Sequence, residues 1–256
     1  MRNVYKLSLR LITTLSLLGL PGLHAQTKPL IEKWLDGEVK ANYGKVTYDG
    51  PPIAMKFSTF VAPQTAMGKL QQRTFDRLKE DTNGKIVVTP YFGSTLANAQ
   101  RGAFDAVSQG IADFGTCYVL FNPGGFKLFL GLQLPYIFEN SMQSSSVAQE
   151  LYPKYLKKEY EARDVYLLHV NTTQPQQILT SRRPVNKLED MKGKKVWAPG
   201  ALSQELAQSL GSSPSNVQSS EIYTAFQSGV VDAVPMHDAG TKLFRLIEVA
   251  KYRTVA

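Results

Sequence analysis

One cysteine in 256 residues, Cys117, rules out an internal disulfide. It follows an apolar run and reads as a small core residue. Histidine is nearly as scarce. His24, His169 and His237 stand apart from one another and from the cysteine, so no metal-ligand spacing can be assembled. The chain has no GxSxG elbow, no glycine-rich phosphate loop and no histidine-based catalytic constellation, which leaves neither an enzyme nor a cofactor with a sequence warrant. Lys and Arg are not gathered into a stripe with interleaved aromatics, so nucleic acid is excluded as a partner. The short pairs Arg182-Arg183 and Lys194-Lys195 read as solvated faces. Beyond residue 20 no apolar run approaches the length needed to cross a bilayer, and a membrane-spanning role is excluded as well.

What the chain does have begins at its N-terminus. Met1 to Arg10 carries Arg2, Lys6 and Arg10 with no acid, Leu11 to Leu20 is a short apolar stretch, and Leu23-His24-Ala25 follows Pro21-Gly22. A basic segment, a short apolar core and a terminal Ala predict a secretory signal peptide, residues 1–25, cut after Ala25. No Cys borders that site, which argues against a lipid anchor. Cleavage removes three of the 29 Lys and Arg and none of the 21 Asp and Glu, leaving 26 against 21, a modest formal charge of +5.

The organisation of the fold is carried by a repeated phrase. Gln109-Gly110-Ile111-Ala112-Asp113-Phe114-Gly115 and Ser228-Gly229-Val230-Val231-Asp232-Ala233-Val234 each end an amphipathic helix at a glycine and continue through two apolar residues and an aspartate into a small-residue strand. Glycine supplies the left-handed helix stop, and the apolar run asks for cover on both faces. Two such units predict two α/β lobes, with the default ligand site in the crevice between them.

Residues 26–50 form an N-terminal leader with Trp34 and Leu35 on a short helix. A first lobe over 51–170 opens with the alternating strand Ile53 to Ser58, a helix with Met67, Leu70, Thr74, Phe75 and Leu78 on one face, and a strand Lys85 to Pro90 started by Asn83-Gly84. That is a βαβ unit. Further expected elements are a helix from Asn98 to Gln109, a strand Ile111 to Thr116, a long polar helix Ser141 to Tyr160 kinked at Pro153, and a strand Val165 to Val170. A second lobe over 171–256 is expected to hold strands from Ile178 and at Val196 to Ala198, helices Leu202 to Leu210, Ser220 to Gly229 and Ala239 to Ala250, a loop at Pro214, and a final strand, Tyr252 to Ala256, that reads as cut short.

The stretch Leu179-Thr180-Ser181-Arg182-Arg183-Pro184-Val185, with Leu188 to Val196 and Ser220 to Asp232, resembles the solute-binding proteins of tripartite ATP-independent periplasmic (TRAP) transporters, the DctP family. Gly84 to Val88 and Leu134-Pro135-Tyr136-Ile137-Phe138 add to the likeness, which runs from about Ile53 to Ala256. The resemblance implies a two-lobe periplasmic-binding-protein-like fold, each lobe a mixed sheet covered by helices. It implies a periplasmic receptor that closes on a small organic solute and delivers it to a TRAP-type permease without changing it.

Where this chain departs from the family, the ligand chemistry changes. The positions of the family's two carboxylate-clamping arginines are Gln176 and Trp197 here, and its asparagine falls on Met236. Trading a bidentate guanidinium for an indole removes charge pairing and supplies a flat stacking surface. A simple dicarboxylate is therefore disfavoured, and a neutral, aromatic or partly hydrophobic solute is expected. Trp197 and Met236 would wall the cleft, Gln176 would hydrogen-bond, and Phe60, Tyr91 and Tyr118 at first-lobe strand ends would face them. Family members continue past the position of Ala256 with strands that return to the first lobe, so a truncated C-terminus, an exposed sheet edge and reduced stability are expected. A fold-retaining interaction module without a transport role is the alternative, separated from a receptor by saturable binding of one small molecule.

Overall fold

The computed structural model of the protein describes residues 29–40, 46–98, 102–121 and 124–255. The signal peptide expected over Met1 to Ala25 lies outside the described residues. Residues 29–40 fall in one compact unit and residues 46–255 in another. The described residues of the first form one short helix, α1 (Leu30–Leu35), with no buried residue.

The larger unit opens on β1 (Ile53–Ser58), passes through α2 (Ala66–Asp81) and returns in parallel as β2 (Ile86–Tyr91). Thr65 caps α2, its hydroxyl accepting from Gly68 N–H at 3.1 Å. The buried residues of α2 are Gly68 and Phe75, whereas Met67 and Leu70 of the expected apolar face are 49% and 40% exposed. A Cβ on Gly68 would run into the Ala62 carbonyl, so the helix makes its closest approach there, and the Gly68–Phe75 line turns inward instead. Phe75 packs edge-on to Phe57 of β1 at 4.9 Å between ring centroids.

After β2 come α3 (Ala103–Ser108) and β3 (Phe114–Gly115), which gives a first sheet of order β2-β1-β3 with parallel pairings. Only Phe114 and Gly115 pair, fewer than the six residues expected, because Ile111 to Asp113 are used to turn the chain from helix to sheet. α4 (Lys127–Gly131), α5 (Ser141–Leu151) and α6 (Lys157–Glu161) follow. The expected kink at Pro153 is a wide helical turn over Tyr152–Leu156, since proline has no N–H for the regular ladder. Val165 to Val170, expected as a strand, has no strand partner among the described residues. Its side chains alternate over the first four residues, Val165 and Leu167 packing on the cluster of Phe104, Phe126 and Tyr160 while Tyr166 and Leu168 face outward, and the phase is then lost, with His169 exposed and Val170 buried. Burial has the period of two only over Val165 to Leu168, and hydrogen-bond pairing in any case needs a neighbour.

The second sheet is mixed. β4 (Gln177–Thr180), β5 (Lys195–Trp197), α7 (Ala201–Ser209), β6 (Ser213–Ser215), α8 (Ile222–Ser228), β7 (Ala233–Met236), α9 (Asp238–Leu243) and β8 (Tyr252–Thr254) build the order β6-β5-β7-β4-β8, with β4 antiparallel to β7 and β8. Pro214, expected in a loop, lies inside β6, where an edge position spares it a ladder bond. The last expected helix stops at Leu243, and Arg245 in the left-handed region (φ 56°) begins a separate short turn, Leu246–Glu248. No helix among the described residues is long and apolar enough to cross a membrane.

The repeated phrase is a repeated structure, bond for bond. Gly110 and Gly229 both take positive φ, 69° and 79°. Ala112 N–H donates to Ala106 O at 2.9 Å, and Val231 N–H to Ala225 O at 3.1 Å. Asp113 then clasps Lys56 in β1, its N–H donating to Lys56 O at 3.0 Å and its Oδ2 accepting from Lys56 N–H at 2.6 Å. Asp232 clasps Lys195 in β5 the same way, at 2.8 and 3.0 Å. In each lobe the aspartate docks the start of one strand onto its neighbour, satisfying a backbone donor beyond the paired stretch.

Candidate functional site

The expected ligand-facing residues gather at the carboxyl ends of the parallel strands. In the first sheet, Phe60 follows β1, Tyr91 ends β2 and Tyr118 follows β3. Tyr91 O accepts from Thr59 N–H at 3.1 Å, which ties the β1 exit to the end of β2. Phe60 and Tyr118 meet edge to face, 5.3 Å between centroids at 65°, and Phe121 lies 5.7 Å from Tyr118. All three expected first-lobe aromatics are half-buried, and burial raises the Tyr118 phenol above its ordinary pKa, keeping it a neutral hydrogen-bonding group. Ser58, the last residue of β1, was not singled out by sequence reasoning. Its hydroxyl is buried without a hydrogen-bond partner at the same strand end. A lone serine at a strand terminus carries no sequence signal.

In the second sheet Trp197 ends β5 and Met236 ends β7, while Gln176 sits just before β4, next to Gln177, which pairs with Met236. Gln176 is exposed. Trp197 is only 7% exposed and packs with Leu179, Ile222, Phe226, Met236 and Leu246, and its indole N–H donates to Val217 O at 2.9 Å. Met236 is 4% exposed in the same cluster. Trp197 and Met236 thus form a dense apolar floor under this end of the sheet, and Gln176 stands clear of it.

The two ends are brought together through glycine. A Cβ on Gly200, three residues beyond Trp197, would strike the carbonyl of Leu120, two residues beyond Tyr118. The loop after β3 and the start of α7 therefore touch through bare backbone. Chemically the arrangement offers aromatic edges and faces, a buried hydroxyl, an exposed amide and an apolar floor. It suits stacking and shape recognition more than charge pairing. Among the described residues no group of three His, Cys, Asp or Glu could hold a metal ion.

Next to Met236, His237 caps α9, its Nδ1 accepting from Gly240 N–H at 3.1 Å. Burial lowers its pKa below the ordinary 6.5, against an opposing pull from Asp238. Below pH 6.5 the unfolded chain takes up this proton before the folded one, so the stabilisation held above that pH is lost as pH falls. Protonated Nδ1 also ceases to accept from Gly240. Thermal unfolding should therefore show the wild type losing more stability than His237→Asn, which caps without titrating, between pH 7.5 and 5. Parallel pH profiles for the two proteins would contradict this role.

The two sheets meet at their carboxyl ends and form a two-lobed α/β fold of the kind found in solute-binding proteins. The family described as bacterial extracellular solute-binding protein, family 7 (DctP) matches residues 57–256, and the chain belongs to that family. It is 29% identical to the C4-dicarboxylate-binding periplasmic protein DctP of Rhodobacter capsulatus over 214 residues, 80% of this chain and 62% of that protein. A TRAP solute binding protein from Rhodoferax ferrireducens in complex with copurified benzoate shares the fold with a TM-score of 0.72 at 20% identity, over 78% of this chain and 62% of that one. A TRAP periplasmic solute binding protein from Bordetella bronchiseptica with bound (R)- and (S)-mandelate matches with a TM-score of 0.70 at 25% identity, over 79% and 64% of the two chains. The chain spans less than two thirds of the length of each of these three relatives.

Proposed function

We propose that this chain is the receptor component of a TRAP-type transporter, exported to the periplasm by a signal peptide cut after Ala25. It captures one small neutral, aromatic or partly hydrophobic solute between a first lobe over 51–170 and a second over 171–256. It then presents the solute to a membrane permease without altering it.

The observation that carries this reading is the edge-to-face pair Phe60–Tyr118, set at the same end of the fold as the apolar floor of Trp197 and Met236. Tyr91 flanks the aromatic wall, and the amide of Gln176 supplies a neutral hydrogen bond at the rim. Benzoate and mandelate in the two structural relatives support an aromatic ring as cargo. The missing arginines at Gln176 and Trp197 support a neutral ring over a carboxylate.

Calorimetry on the full chain with benzamide, benzoate and succinate tests this. Saturable benzamide binding, at least about tenfold tighter than succinate and weakened about tenfold by Tyr118→Ala, is expected from the loss of one aromatic contact worth about 1 kcal/mol or more. Tightest binding of succinate would overturn the ligand assignment, and binding of none of the three would favour an interaction module.

A further inference from the structure

The second lobe carries a basic cavity at the end of its sheet opposite the aromatic site. Arg182 and Arg183 follow β4, while Lys192, Gly193 and Lys194 precede β5. With Asp232, these six residues line an open cavity of about 350 Å³. That is near the lower end of the range for small-molecule pockets, about 300 to 1,000 Å³. The two basic stretches are separate in the sequence, and the intervening turn folds them onto one concave surface beside the start of β7.

Three observations set this cavity apart from an ordinary solvated face. First, four cations and one carboxylate line the cavity, and although Lys194 also acts on the nearby Asp190 carboxylate, among the described residues none of the four forms an ion pair within 4.0 Å. Second, Asp232 does not need them, because its Oδ2 already accepts from Lys195 N–H. Asp113 makes the matching clasp in the first lobe, where the positions equivalent to Lys192 and Lys194, counted from the clasped lysine, are the apolar Ile53 and Met55. The cations are thus an addition to the repeat and not part of its construction. Third, Arg182 lies over the left-handed turn that ends α8, its guanidinium where a Cβ on Gly229 would be, so the glycine leaves it room at that place. The guanidinium there offers a fork of donors whose geometry matches an oxyanion.

We propose that this cavity is a binding site for a small multivalent oxyanion of the phosphate or sulfate type, held by Arg182, Arg183, Lys192 and Lys194 and separate from the solute cleft. An occupied site would bridge the exit of β4 to the entry of β5, two strands that flank β7 without touching each other, and so stiffen the second lobe. Ligand that binds only the folded state raises its melting temperature by mass action. The site does not depend on the identity of the solute bound at the aromatic end.

The test is thermal unfolding of the full chain in inorganic phosphate, sulfate and chloride at matched ionic strength. A saturable rise in melting temperature with phosphate or sulfate, absent with chloride, is expected. R183Q and K192Q, both at exposed positions, should raise the half-maximal phosphate concentration by about tenfold each while melting normally in chloride, since each removes one charged hydrogen-bond donor. Equal effects of all three salts, or an unchanged phosphate response in both variants, would overturn the site. So would binding of a poly-glutamate peptide without any binding of phosphate, which would assign the surface to an acidic protein partner instead.

Discussion

Trp197→Arg is expected to cost about 3 to 5 kcal/mol of folding stability, enough to consume much of the margin of an ordinary domain. The side chain is 7% exposed among Leu179, Ile222, Phe226, Val231, Val234, Met236 and Leu246, and that cluster contains no acid. A guanidinium placed there gives up its hydration and finds at most the Val217 carbonyl now held by the indole. Two companion variants separate the contributions. Trp197→Phe keeps most of the packing and loses the hydrogen bond to Val217, an expected cost of about 1 to 2 kcal/mol. Trp197→Ala loses the packing too, about 3 to 5 kcal/mol. Urea unfolding of the four proteins checks the order. If Trp197→Arg unfolds at wild-type urea concentration and gains affinity for benzoate, position 197 opens into the cleft, and the arginine of the wider family can be restored here without penalty.

The same residue marks the limit of what the sequence discloses. That an indole replaces a clamping arginine is visible in the motif, because Lys194-Lys195-Val196 fixes the position. That the indole lies in a core and spends its N–H on Val217 depends on a loop twenty residues later. The repeat around Asp113 and Asp232 was legible for a local reason, since a glycine helix stop and an apolar run are short-range signals. The clasp each aspartate makes was not, because its partners Lys56 and Lys195 are 57 and 37 residues away. Pro214 read as a loop because proline argues against a strand, a preference that an edge position suspends. Val165 to Val170 shows the converse, since the alternation of its first four residues is a property of the segment but pairing belongs to its neighbours. The two basic pairs looked like separate solvated faces, and only the turn between β4 and β5 brings Arg182 and Arg183 onto one surface with Lys194 and Lys192.

Gly200→Ala is expected to weaken solute binding by at least about tenfold and to cost about 1 to 3 kcal/mol of stability, although it adds a single methyl group. Gly200 has φ −139°, extended backbone open to any residue, so the glycine is not required by its own conformation. It is required by Leu120, whose carbonyl oxygen occupies the place of the missing Cβ. That obstacle is backbone and cannot rotate away as a side chain could. Gly200 is also fixed from its other side, its N–H donating to the Ser203 hydroxyl at 3.0 Å and its carbonyl accepting from the same hydroxyl at 2.8 Å in the cap of α7. The strain must therefore be relieved by separating the loop after β3 from the start of α7. Those two segments carry Tyr118 on one side and follow Trp197 on the other, so the separation pulls apart the two walls of the proposed cleft. Gly131→Ala is the matched control, because a Cβ there meets nothing within 4 Å. Benzamide titrations at a temperature where all three proteins are fully folded isolate the effect on binding from the effect on folding. Equal affinities for wild type, Gly131→Ala and Gly200→Ala would mean that the contact at Leu120 plays no part in shaping the site.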